Sequence, residues 1–429
     1  MGRPGSERCA RPPRPSAVAR AAAACLAAAA LACGACGARS SFSDVVPDAG
    51  VTAETGCTAA PPTCVARGLA CTVSTVVPAV CDGGSRVWAC PAGSSVYARA
   101  PAPTAPCLPF HGASGLANVG PWGIGSFSRI PTDDGRCLWL ADSVTLSDGA
   151  PARNVALEAD PDAPFGTCPV ESVAPPAPLV TMEGGDDPSI LVQVDGGYRL
   201  GGATHVLYRL FRVDPTAVYG VTELGGGVAR LDAATGRIVI PSLARPFPWG
   251  LDLDLGDATL PSGDGAHELV WGCAPPGAQL FEEGCRLARL DALDAVELYA
   301  KSGDWIASVR ASDGATVFQS GRWMSSVVPP PESPSSALRH VYIGDFGDEL
   351  RTQSAPVATG PWSDAASLGP CDLPASDPQA FCASPVVHDE LADPTRPGEI
   401  AVTYGVGSTG AGVRTGNPED YWPRLVWVP

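Results

Sequence analysis

Carboxylates are the residues of this 429-residue chain whose types and settings could do chemistry. Two carboxyl groups that flank a glycosidic bond can cleave it, one as the acid and the other as base or nucleophile. Glu390 lies two residues after His388, and Asp142 ends a strand-like run. Glu223 precedes three glycines, and Asp252 alternates with leucines. These four acids are the candidate catalytic groups, although each could instead cap a turn or face solvent.

The patterns of other catalytic classes are missing. The sequence contains no P-loop, no H-E-x-x-H and no G-x-S-x-G. Residues 405–410 match G-x-G-x-x-G, but Gly416 and Pro418 follow where a dinucleotide site needs a helix. Lys301 is the only lysine, and the five histidines are too scattered to predict a zinc site. We therefore expect no cofactor, although aspartates and backbone oxygens could hold a structural calcium ion.

The N-terminal residues predict export. Residues 1–20 carry five arginines and one glutamate, and residues 21–32 are an apolar run too short to span a bilayer. The net charge of the whole chain is −17, so the chain without residues 1–32 carries −21. A surface this acidic repels phosphate backbones, which argues against nucleic acid as a partner.

Ala30-Leu31-Ala32-Cys33 resembles a bacterial lipobox, in which the cysteine becomes lipidated after cleavage of the signal. This resemblance implies a signal peptide over residues 1–32, a lipid anchor on Cys33 and a place at the outer membrane or cell surface. Cys36 is the rival acceptor. Ordinary cleavage would instead give a soluble periplasmic or secreted product.

Cysteine usage agrees with an oxidising compartment. Without the four cysteines up to Cys36, twelve remain, and six of them crowd into residues 57–107. An even number in an exported chain predicts disulfides rather than metal thiolates. Sequence proximity predicts three local bridges, whereas the pairing within residues 57–107 stays open: Cys137–Cys168, Cys273–Cys285 and Cys371–Cys382.

Four zones follow along the chain: the signal, a tether (33–56), a cysteine-rich module (57–107) and residues 108–429. With 45 prolines and 49 glycines, long helices are not expected. The last zone consists of short alternating runs, such as 190–194 and 205–213, which a turn at 195–197 would join. About 320 residues of this pattern predict an all-β fold with radial repetition, and five blades of about 60 residues fit the length.

Several motifs in order resemble an uncharacterised bacterial family of five-bladed β-propellers, in the superfamily of arabinanases, invertases and levansucrases. The segment 127–142, Gly360-Pro361-Trp362-Ser363, His388-Asp389-Glu390-Leu391 and the closing strand 421–428 carry the resemblance. It implies carbohydrate as substrate or ligand. Family acids come from the innermost strands of the first three blades, and residues 123–129, in the first of these positions, contain no acid.

The resemblance assigns roles to single residues. Asp142 and Glu390 would be carboxylates of the central pocket, with Asp252 or Glu223 as the third acid. His388 would orient an acid or bind sugar, Arg351 could bind a hydroxyl or carboxylate, and three tryptophans could stack on sugar rings: Trp122, Trp249 and Trp323. Two functions remain open. One is a glycoside hydrolase acting on furanose-containing polysaccharide, and the other is a non-catalytic surface propeller that binds glycan or a protein partner.

Overall fold

The computed structural model describes residues 57–97, 127–169, 180–240, 254–273, 283–320, 325–328, 337–408 and 423–429, with short gaps at 69–70, 72–73, 133–134, 146–150, 161–162, 184, 186, 217–220, 233–235, 293–294, 309, 345–346, 392 and 394. All regular elements in these residues are β-strands, which confirms the all-β class. The described segments contain no helix that is long and apolar enough to cross a membrane.

Residues 57–97, which we call the N-terminal module, form two small sheets. Their strands are β1 (Cys64–Ala66), β2 (Thr75–Val77), β3 (Val80–Asp82), β4 (Val87–Ala89) and β5 (Ser95–Val96). β1 lies between β2 and β5, and β3 and β4 form a hairpin. The bridges Cys57–Cys81 and Cys64–Cys90 link the hairpin to the rest of the module. Disulfides stabilise the module where such short strands bury little apolar surface.

The remaining strands form five sheets, which we number in chain order. The first contains β6 (Phe127–Pro131), β7 (Cys137–Thr145), β8 (Pro151–Asp160) and β9 (Ala163–Pro169). The second contains β10 (Val180–Met182), β11 (Ile190–Leu200), β12 (Ala203–Val213), β13 (Val221–Asp232) and β14 (Arg237–Ile240). The third contains β15 (Asp254–Pro261), β16 (Glu268–Cys273), β17 (Glu283–Leu290), β18 (Val296–Tyr299), β19 (Trp305–Ile306) and β20 (Phe318–Ser320). The fourth contains β21 (Ser326–Val328), β22 (Leu338–Ile343), β23 (Glu349–Ala355) and β24 (Ala366–Pro370). The fifth contains β25 (Ala380–Val387), β26 (Ile400–Ser408) and β27 (Arg424–Val428).

One strand of each sheet lies toward a common centre. β6, β11, β15, β21 and β25 contact one another in this order, and β25 also contacts β6, so the ring of contacts closes. The other strands follow outward from these five. Radial repetition of this kind is the arrangement of a β-propeller. Five described sheets accord with five blades, a number that we keep as a prediction.

Apolar side chains between neighbouring sheets form the core. In β12 both faces are buried: Tyr208 packs in the cluster shared with the first sheet, and Leu207 packs in the cluster shared with the third. Alternation along the strand separates the two faces. This double burial explains why residues 205–211 read as a nearly continuous apolar run. The third and fourth sheets meet through Trp271, Phe318 and Val327.

Two of the three predicted local disulfides are confirmed, Cys273–Cys285 and Cys371–Cys382. The prediction for Cys137–Cys168 is wrong, because Cys137 is bonded to Cys71, 66 residues upstream. In the register, Leu138 is opposite Glu158 on β8, and Glu158 is opposite Cys168 on β9. A whole strand therefore separates Cys137 from Cys168. Two strand spacings are about 9.6 Å, beyond the roughly 7 Å limit for bonded cysteines.

Candidate functional site

Glu390 and His388 lie where the fifth sheet meets the first. β25 ends at Val387, and residues 388–391 form a tight turn in which the Leu391 N–H donates to the His388 carbonyl (3.0 Å). The His388 N–H donates to the Ala401 carbonyl of β26 (2.9 Å), which anchors the turn to its own sheet. The turn thus holds both side chains at the boundary between the last and first sheets.

Two residues of the first sheet complete this site. Arg129 of β6 and Trp139 of β7 are opposite each other in the strand register. Their neighbours Ile130 and Leu140 pack in the core shared with the second sheet. Since successive side chains point to opposite faces of a strand, Arg129 and Trp139 are on the face toward the fifth sheet. We call Arg129, Trp139, His388, Asp389 and Glu390 the seam cluster.

Both carboxylate oxygens of Glu390 are engaged. The Trp139 indole N–H donates to Oε1 (2.9 Å), and His388 Nδ1 lies 2.9 Å from the same atom. The Arg129 guanidinium donates to Oε2 (3.2 Å) and makes a longer contact with Asp389 (3.5 Å). Only 6 % of the Glu390 side chain is exposed. Three donors from two sheets therefore engage both oxygens of this buried carboxylate.

His388 is held on its other side by Thr403. Its Nε2 lies 2.7 Å from the Thr403 hydroxyl, and its ring stacks at a tilt against Trp139 with centroids 4.0 Å apart. Burial lowers the pKa of His388, so the ring is neutral near pH 7. A neutral ring that donates from Nδ1 to Glu390 must accept at Nε2, and the threonine hydroxyl supplies that proton. The histidine orients Glu390 and has no exposed surface of its own.

Electrostatics separate the two acids of the cluster. Burial alone would raise the pKa of Glu390, but the interactions with His388 and the Arg129 charge outweigh it and lower the pKa to about 2. Burial raises the pKa of Asp389 to about 6, and the nearby Glu390 charge adds to this shift while Arg129 opposes it. Arg129 is therefore paired chiefly with Glu390, and Asp389 gains its charge only near neutral pH.

This arrangement suits a structural clamp better than an acid catalyst. A general acid needs a pKa near the working pH and access to the leaving group. Glu390 is ionised at all but strongly acidic pH, and protein donors occupy both of its oxygens. Arg129 also stands on the innermost strand of the first sheet, the strand on which the resemblance places an acid. The cluster joins the two ends of the ring of sheets through charge and hydrogen bonds.

The other predicted site residues do not join this cluster in the described structure. Asp142 lies within β7, and Glu223 lies half-buried on β13, opposite Phe211 and two strands away from the innermost strand β11. Arg351 lies on β23 and pairs with Glu349 (2.7 Å) at a partly exposed position. Five of the predicted residues lie outside the described residues: Cys33, Trp122, Trp249, Asp252 and Trp323.

A second buried ion pair was not anticipated from the sequence. Asp195 accepts two hydrogen bonds from the Arg209 guanidinium (2.9 and 2.7 Å), and both side chains are almost fully buried. The turn expected at 195–197 is wrong: β11 continues to Leu200, and the register shifts at a β-bulge between Val194 and Gly196. Bulges occur near binding sites because they redirect a side chain. The sequence Asp-Gly-Gly is compatible with both a turn and a bulge, so the local pattern could not separate them.

No group of three or more histidine, cysteine, aspartate or glutamate side chains in the described residues could hold a metal ion. The calcium ion that the sequence allows therefore stays a prediction.

Comparisons with solved structures agree with the fold. A presumed hydrolase of Bacteroides ovatus ATCC 8483 superposes with a TM-score of 0.54 and 14% identity, over 73% of this chain and 86% of that chain. A GH43_1 enzyme from Xanthomonas citri gives 0.39 and 13%, over 73% of this chain and 89% of its own. An exo-β-1,3-galactanase from Phanerochaete chrysosporium gives 0.41 and 12%, over 73% and 64%. Only the first likeness has a TM-score above 0.5 and bears on this chain, and at 14% identity it shows a shared fold alone.

Comparisons by sequence find nothing: no protein-family model matches the chain, and no curated protein does.

Proposed function

We propose that this chain is an exported β-propeller that binds glycan and does not use Glu390 for catalysis. The observation that carries the proposal concerns Glu390. This residue lies in a segment that resembles a family motif, and the seam cluster holds it buried and ionised with protein donors on both of its oxygens. The carbohydrate-related role rests on the motif resemblance described above, and the fold shared with a presumed hydrolase is compatible with it. Lipidation of Cys33 and a place at the outer membrane or cell surface are part of the proposal.

Hydrolysis of furanose-containing polysaccharide is the second candidate. The motif resemblance favours it, and Asp142 lies on a strand of the first sheet, next to the innermost strand. A hydrolase of this chain would need Asp142 and another acid, of which Asp252 and Glu223 are the sequence candidates. An inverting pair stands about 6.5–9.5 Å apart. Glu390 would then support the fold of the enzyme rather than its chemistry.

Retention in polysaccharide gels tests the proposal. The purified chain without residues 1–36 is run through native gels that contain arabinan, fructan or galactan, beside a gel without polysaccharide. Retardation by one of them supports glycan binding, and Glu390→Gln should be retarded equally under conditions where it is folded. Migration that none of the polysaccharides changes would contradict the proposal and favour a protein partner.

A further inference from the structure

The N-terminal module contacts both sides of the boundary between the first and fifth sheets. On the first-sheet side, Cys71 is bonded to Cys137, the first residue of β7. On the fifth-sheet side, the Ser74 N–H donates to the Asp389 carbonyl (3.0 Å), and its hydroxyl donates to the Glu390 carbonyl (2.8 Å). Ser74 is buried, so these two bonds are shielded from water. Cys71 and Ser74 are three residues apart in the chain, and together they bridge the two sheets.

A second contact joins the end of the module to the residues that follow the turn at 388–391. The Tyr97 hydroxyl donates to the Asp393 carboxylate (3.2 Å), just beyond the turn at residues 388–391, which we call the seam turn. The Arg67 guanidinium lies over the Tyr97 ring, 6.0 Å from its centroid. The module therefore contacts the 389–393 segment at both of its ends. The side chains of Arg129 and Trp139 contact the same segment through the carboxylates of Asp389 and Glu390.

This boundary is the place where a ring of sheets needs extra support. Neighbouring sheets elsewhere are consecutive in the chain, but the first and fifth sheets are joined by no direct connection. In the described residues the first sheet is made only of β6 to β9, and the fifth only of β25 to β27, so no strand from one end of the chain pairs into the other end's sheet. Among the described residues, the contacts that cross this boundary include those between β25 and β6, those of the seam cluster and those of the module.

We infer that the N-terminal module is a clasp that holds the fifth sheet against the first. The Cys71–Cys137 bridge fixes the module to the first sheet, and Ser74 fixes the seam turn to the module. The seam cluster joins the same two sheets through its side chains. The cysteine-rich segment thus acts on the propeller itself, as an intramolecular partner, and reduction of Cys71–Cys137 loosens the ring at one place.

Hydrogen exchange read by mass spectrometry tests the clasp in the purified full chain with its disulfides formed. The test variant is Cys71→Ser with Cys137→Ser, and the matched control is Cys57→Ser with Cys81→Ser, which removes a bridge that lies within the module. The His388 and Leu391 amides, both hydrogen-bonded in the seam turn, are the reporters. We expect exchange about tenfold faster in peptides over 386–393 and 127–131 in the test variant alone, with the β22–β23 hairpin unchanged, because the opening is local.

Equal acceleration of the seam peptides in both double variants, or in neither, would overturn the inference. Ser74→Ala provides a second route if the test variant does not fold. It leaves every disulfide in place and removes the two hydrogen bonds of the hydroxyl, the one donated to the Glu390 carbonyl (2.8 Å) and the one accepted from the Gly68 N–H within the module (2.9 Å). Faster exchange confined to 386–393 in this variant supports the clasp, and exchange identical to the wild type contradicts it.

Discussion

Replacement of Glu390 by glutamine should destabilise this protein by up to about 3 kcal/mol at pH 7. The pKa of Glu390 falls from an ordinary 4.5 to about 2 in the folded chain. Each unit of pKa shift corresponds to about 1.4 kcal/mol of interaction with the charged form, so the whole shift corresponds to about 3 kcal/mol. This figure is an upper bound at pH 7, because part of the shift comes from a His388 charge that the neutral ring lacks there. Removal of one partner from a buried ion pair typically destabilises by about 3–5 kcal/mol, in agreement with this figure. Glutamine keeps the shape, but its amide turns a donor toward Arg129 or leaves the Trp139 and His388 donors poorly paired.

The sign of the pH dependence follows from the same shift. A carboxyl whose pKa is lowered by folding stabilises the folded state above pH 4.5, and this contribution is lost as the pH falls through about 2. The difference between wild type and Glu390→Gln should therefore be full at pH 7 and shrink in acid. Urea unfolding at several pH values, with disulfides intact, measures it.

A matched control separates this reasoning from a general effect of charge removal. Glu349 pairs with Arg351 at 2.7 Å, but their side chains are 27% and 41% exposed. Exposed pairs contribute about 0–1 kcal/mol, so Glu349→Gln should change stability little. If Glu390→Gln is as stable as this control, or more stable than the wild type as expected for a strained catalytic acid, the clamp interpretation is refuted.

Three further results are expected. Burial lowers the pKa of His340 to about 3, so the unfolded chain binds a proton at a higher pH than the folded chain does. The unfolding free energy should therefore fall by about 2–3 kcal/mol between pH 6.5 and 4.5. Urea unfolding should show that His340→Phe removes this loss. Burial raises the pKa of Asp389 to about 6, so the contribution of this carboxyl to stability declines as the pH rises from 3.8 to 6. Asp389→Asn should therefore raise the unfolding free energy at pH 7.5 by up to about 3 kcal/mol. Gly256 has φ +134°, and a Cβ there would lie 2.9 Å from that of Asp195. Gly256→Ala should therefore lower the unfolding free energy by about 1–3 kcal/mol in urea unfolding, whereas a Cβ at Gly196 meets open space and Gly196→Ala should not lower it.

Local features of the fold could be predicted from the sequence, since they depend on neighbouring residues. Strand alternation and the density of glycine and proline predicted an all-β chain. The pairs Cys273–Cys285 and Cys371–Cys382 are separated by only 12 and 11 residues, so proximity along the chain was enough to predict them. Cys137 failed this reasoning because its partner is in another module, at a distance that no local pattern records.

Only part of the seam cluster could be predicted, because sequence patterns record contacts between residues that are close along the chain. His388 and Glu390 are two residues apart, so their association was visible in the sequence. Arg129 and Trp139 lie about 250 residues away, and only closure of the ring brings them to Glu390. These contacts join the two ends of the chain, so a local motif could supply only the carboxylate and its histidine, and the assignment of Glu390 as a catalytic group stays a prediction.

Release of reducing ends tests the central claim most directly. Wild type, Glu390→Gln and Asp142→Asn are incubated with arabinan, fructan and galactan, each at a temperature where urea unfolding shows the variant to be folded. The account predicts no dependence on Glu390: either no release by any of the three, or release that Asp142→Asn abolishes and folded Glu390→Gln retains. Release by the wild type that a fully folded Glu390→Gln loses would contradict it, and Glu390 would then be a catalytic acid.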